Sequence, residues 1–170
     1  MLNILKLIFE ICLFKKGPQD VPYSLLLLCV MLVADAVVSY ILLTIGNQWF
    51  IALLQASIGI MLLLAFSWIV LFLGKRLERF YQTSCALLGT DALVSFFALP
   101  GTATLMTGHM TLLAFSVMLG LMVWHWAVTG HIIRHALGKT LMFGLGLAFL
   151  YIWVSFQVMA LLFPEVSGIE

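Results

Sequence analysis

The sequence predicts an all-α fold, a polytopic membrane helical bundle of five transmembrane helices plus a short N-terminal interfacial helix. Three observations carry this expectation. Hydrophobic residues make up 64% of the 170-residue chain, against about 45–50% in soluble domains, and a soluble fold of this size has no interior able to hide the excess. Five stretches, about 25–45, 50–73, 83–100, 110–133 and 140–163, are each near the roughly 20 apolar residues that a bilayer crossing needs. The eight Lys and Arg residues fall outside the apolar cores of these stretches, at alternate ends.

Those basic residues form three clusters: Lys6, Lys15 and Lys16 before the first span, Lys75, Arg76 and Arg79 between spans two and three, and Arg134 and Lys139 between spans four and five. The connections Gly46-Asn47-Gln48-Trp49 and 100–108, and the tail 164–170, have none. Basic loops are retained on the cytoplasmic side. The expectation is a cytoplasmic N-terminus, an external C-terminus and a cell inner membrane location. The same clusters can touch anionic headgroups, and they leave no separate basic surface for nucleic acid.

Taken in order, residues 1–16 are apolar but too short to span. They lack a basic leading region and a small-residue cleavage site, and so do not fit a secretory signal. Asn3, Lys6 and Glu10 share one helical stripe, with Lys6 and Glu10 at i, i+4. Two placements suit that pattern: a helix lying at the interface, or one packed against the bundle. Residues 17–24 contain Pro18 and Pro22, which forbid helix, and Ser24 is placed to cap the first span. Spans one and three carry Asp35 and Asp91. Span three is expected to stop at Pro100-Gly101, and Gly144 and Gly146 in span five suit close helix approach. Cys12, Cys29 and Cys85 form no metal spacing and no disulfide framework.

An internal echo links spans one and three. Cys29, Leu32, Asp35, Ala36, Val38, Ser39 and Leu43 recur as Cys85, Leu88, Asp91, Ala92, Val94, Ser95 and Leu99, at a constant offset of 56 residues. Both spans run in the same direction, so the repeat is parallel, about an axis along the membrane normal. Spans two and four echo only loosely, in Gly59-Ile60-Met61 and Gly120-Leu121-Met122.

Asp35 and Asp91 are the sharpest candidates. At about 1.5 Å per residue each stands roughly 12–15 Å from the inner end of its span, where a carboxylate costs about 2.5–3.5 kcal/mol on insertion scales. Ser39 and Ser95 follow at i+4, on the same face as their acids. His125 in span four lies at a comparable depth, and no Lys or Arg is available there. One reading is a proton or cation path through Asp35, Asp91 and His125. The other is hydrogen-bonded glue between helices. His131 and His135, at i, i+4, are the metal candidates, but two ligands with no nearby Cys or carboxylate make a poor site. All four histidines, including His109, lie on or beside span four, so a bis-histidine haem would need two chains. No cofactor is implied. GxSxG, HExxH and GxxxxGK[ST] motifs are absent, so no catalytic residue and no enzyme class is indicated.

Leu87-Leu88-Gly89-Thr90-Asp91-Ala92-Leu93 and Leu121-Met122-Val123-Trp124-His125-Trp126-Ala127-Val128, within a five-span topology, resemble the bacterial members of the Yip1-like membrane protein family. The acidic-Leu-Tyr-Gly-Pro motif of the eukaryotic branch has no counterpart, since Gly17-Pro18-Gln19-Asp20-Val21-Pro22-Tyr23 is a different element. The resemblance implies an integral inner-membrane protein without an assigned reaction, and no trafficking role. The functional expectation is an assembly, scaffold or accessory subunit that contacts lipid and other membrane proteins or itself. The alternative is a proton- or cation-coupled carrier or channel component using Asp35 and Asp91. A lipid-modifying enzyme is a third class with no motif behind it.

Overall fold

The computed structural model describes residues 2–106 and 111–164. His109 and most of the expected external tail, 165–170, lie outside the described residues. Six helices follow in order: α1 Leu2–Cys12, α2 Leu25–Thr44, α3 Trp49–Leu73, α4 Phe80–Met106, α5 Leu112–Leu137 and α6 Leu141–Leu162, with short 3-10 turns at Pro18–Asp20 and Leu77–Arg79. Among the described residues there is no strand. Helices α2 to α6 are each long and apolar enough to cross a bilayer, and the chain is a multi-pass membrane protein.

Helix starts use hydroxyl caps. Ser24, Thr111 and Thr140 accept the backbone N–H groups of Leu27, Ala114 and Phe143 at 3.3, 3.2 and 3.4 Å, satisfying donors that the first helical turn leaves unpaired. The C-terminal ends of α1, α3 and α5 gather at one end of the bundle with the basic residues. All three close through a left-handed residue: Phe14 at φ 60°, Lys75 at φ 54° and Gly138 at φ 65°. The N–H groups of Lys15, Arg76 and Lys139 return to the carbonyls of Glu10, Leu71 and Arg134 at 2.9, 2.9 and 3.1 Å, in the pattern of a Schellman cap.

Helix α4 does not stop at Pro100. It runs on to Met106 with the proline inside. Pro100 cannot donate to the Phe96 carbonyl, but the hydroxyl of Thr102 donates to the carbonyls of Ala98 and Leu99, 3.0 Å from each.

Helix α4 is the centre of the bundle: α1, α2, α3 and α5 pack against it, while α6 lies on α5 and touches α3. Every residue from Thr83 to Thr90 is buried. By contrast α6 buries only Gly144 and Ala148. Gly144 sits directly over the Gly130 carbonyl, where any Cβ would collide. Gly146 has open space around it and takes no part in this approach.

Helix α1 is docked on the bundle. Ile8, Ile11 and Cys12 are buried in its core, the Cδ1 atom of Ile8 fits over Gly89, and Asn3 and Lys6 remain exposed. The segment that follows is held through its backbone. Trp124 Nε1 donates to the Cys12 carbonyl at 3.0 Å, and Gln82 Nε2 donates to the Val21 carbonyl at 2.7 Å.

Candidate functional site

The two echo helices pack side by side in the register of their echo. Cys29 lies within electrostatic reach of Cys85, Met31 Sδ approaches the open face of Gly89, and the Asp35 carboxyl is close to that of Asp91. The offset of 56 residues in the sequence is thus also the contact register between α2 and α4. Gly89 makes the approach possible, because a Cβ there would stand 3.1 Å from Met31 Sδ and 2.8 Å from Ile8 Cδ1.

The acids occupy different surroundings. Asp35 is 1% exposed, and its Oδ1 is buried without a hydrogen-bond partner. Ser39, one turn along α2, and Asp91, across the helix interface, both approach its carboxyl. Asp91 is only partly buried, and its Oδ1 lies 3.1 Å from His125 Nε2 on α5. The pairing joins an intramembrane acid to the histidine that stands at a comparable depth in the sequence. Ser95, which follows Asp91 as Ser39 follows Asp35, makes no hydrogen bond to its acid among the described residues.

Two further residues belong to this site, both from α6. The Tyr151 phenol is largely buried, within electrostatic range of Asp91 and Asp35, with Ser155 beside it. Its ring lies against Phe66, with centroids 4.7 Å apart. Ser155 Oγ is buried without a hydrogen-bond partner. Tyr151 and Ser155 stand at i, i+4, the spacing already seen for Asp35 and Ser39, and that repetition was the available signal. The site therefore draws polar groups from α2, α4, α5 and α6 into one interior cluster. Chemically it can accept, hold and pass protons between carboxyl, imidazole and phenol, or bind a small cation between the carboxyls.

The metal candidates lie elsewhere. His131 and His135 pack ring against ring at the basic end, with centroids 4.5 Å apart. His131 Nε2 is hydrogen-bonded to the Lys16 carbonyl at 3.0 Å, and Phe14 packs edge-on against its ring. Among the described residues no third His, Cys, Asp or Glu completes a metal-binding group with them. At the same end Lys16 Nζ pairs with Glu10 Oε2 at 2.9 Å. The hydrogen bond to Lys16 holds the Glu10 carboxyl below its usual range, and the same contact raises the Lys16 ammonium above its own.

No protein-family model, curated protein or solved structure matches the chain.

Proposed function

We propose that this chain is an assembly or accessory subunit of a cell inner membrane, of the Yip1-like kind, working through helix–helix contacts rather than catalysis. Its N-terminus faces the cytoplasm and its C-terminus the outside, following the basic clusters. The observation that supports the reading most is where its polar groups go. The ionisable side chains of the spans' interior are turned towards each other, Asp91 on His125 and Asp35 beside Asp91. The outward faces carry Val33, Val37, Phe96, Phe149 and Trp153, all exposed. In a bilayer such internal polar contacts contribute about 0.6 kcal/mol each, up to roughly 1.7. They fix the arrangement of helices while leaving the exterior free for lipid and for partners.

The test is isolation from native membranes in a mild detergent. A stoichiometric partner, or a defined oligomer, is the expected result. A chain that elutes alone and monomeric under those conditions overturns the proposal.

The unpartnered Oδ1 of Asp35 favours a second reading, a proton- or cation-coupled carrier component. A buried acid with a free oxygen beside an acid–imidazole pair is equipped to take up and release a proton or cation. Asp91→Asn separates the two. Lost assembly supports the structural role, whereas intact assembly with lost pH-dependent flux in reconstituted vesicles supports the carrier.

A further inference from the structure

At the basic end, an open pocket of about 570 Å³ lies between the segment after α1 and the facing ends of α5 and α6. Its polar lining includes Lys15, Lys16, Asp20, His131, Arg134 and His135. Phe14, Ala127, Leu141 and Leu145 give it an apolar lining as well. We propose that this pocket binds the phosphate-bearing head of an anionic phospholipid, with the acyl chains leaving along α5 and α6. The proposal is independent of what the interior acids do.

Charge accounting within the pocket leads to the ligand class. Two acids lie at this site. Glu10 is paired with Lys16, and Asp20 Oδ2 accepts the Gly17 N–H at 2.9 Å. Among the described residues no carboxylate lies within ion-pair distance of Lys15 or Arg134, and the only two ion pairs are Lys16–Glu10 and His125–Asp91. Lys15, Lys16 and Arg134 thus face the carboxylates of Glu10 and Asp20, which leaves one positive charge in excess beside two imidazoles. A phosphate diester, with its single negative charge, matches that excess and accepts from an imidazole N–H, and arginine suits its geometry.

The apolar lining distinguishes a lipid from a soluble anion. Ala127, Leu141 and Leu145 belong to spans that continue into hydrocarbon, and Leu141, Met142 and Phe143 next to the pocket are exposed apolar side chains. A soluble phosphate would leave that surface uncovered. Basic pockets between membrane helices that bind anionic headgroups have this make-up.

The backbone at Phe14 points the same way. Its φ of 60° suits glycine, and a bulky residue there is strained. The conformation places the ring against His131, with centroids 5.2 Å apart, as part of the pocket wall.

The experiment is native mass spectrometry of the full chain in micelles carrying equal phosphatidylglycerol and phosphatidylcholine. The wild type is expected to retain phosphatidylglycerol selectively. Arg134→Gln and Lys15→Gln are each expected to reduce that selectivity about fivefold, since each basic residue near an anionic surface contributes about 1 kcal/mol. Lys75→Gln, a basic change outside the pocket, should leave it within about twofold. Lys15 is exposed, so its replacement leaves folding intact. Equal retention of both lipids by the wild type overturns the proposal. So does selectivity that survives both pocket variants, or that falls equally in Lys75→Gln. Glycerol phosphate displacing the lipid at matched concentration would assign the pocket to a soluble phosphate instead, and overturn the lipid.

Discussion

Helices α2 and α4 share a motif, a direction and a register, yet they live in different places. Helix α4 is the axis of the bundle, wrapped by four neighbours, and buries an unbroken run from Thr83 to Thr90. Helix α2 buries only Leu27, Leu28, Met31 and Asp35. Matching positions differ accordingly. Cys85 is buried and Cys29 exposed, and Gly89 is covered by Ile8 and Met31 while its counterpart Val33 is 58% exposed. The acids reverse the trend: Asp35, on the peripheral helix, is the more buried, and Asp91, on the central one, reaches outward to His125. A repeated motif thus specifies which faces meet. It does not specify what each copy experiences, because α1 and α5 pack on α4 more than on α2.

The comparison can be broken most sharply at Gly89. Gly89→Val is expected to destabilise the bundle by about 1–3 kcal/mol, the usual cost of overpacking a closed contact. Val33→Leu at the matching position should stay within about 0.5 kcal/mol, as exposed changes do. Reversible unfolding in detergent measures both. Equal effects would mean that the two helices are not differently buried.

A smaller effect is expected at the acids. Asp91→Asn and His125→Gln should each cost about 1 kcal/mol, the upper range for polar contacts between membrane helices. The double variant should be no worse than the larger single one, because both changes remove the same contact. Additive losses would show that the two side chains act separately. The smallest effect is expected at the hydroxyls. Ser39→Ala should cost about 0.5 kcal/mol through its contact with Asp35, and Ser95→Ala close to nothing.

The parts of this molecule that were legible beforehand are those where a rare residue meets a strong physical cost. Asp35, Asp91 and His125 stood out because ionisable groups inside an apolar span demand partners, and the structure brings them together. The helices were legible because apolar length alone marks a span. Pro100 misled, because proline stops helices in water, whereas α4 runs on past it to Met106, as proline inside a membrane helix is tolerated. The docking of α1 was not legible: an apolar helix with one polar stripe suits a bundle surface as well as a membrane surface. Tyr151 and Ser155 were hidden because a tyrosine and a serine in a span carry no obligatory charge. Only the third dimension shows that they stand beside the acids.

The way the first helix is held has a consequence for how the protein is made. The Cys12 carbonyl waits for the indole of Trp124, 112 residues further along the chain, which at ribosomal speeds of about 5–20 residues per second is roughly 6–20 s. Over that interval α1 lacks its anchor on α5, and the Asp35 carboxyl has only Ser39 beside it until Asp91 emerges. The first segment to leave the ribosome therefore completes its contacts only after the fourth span has been made.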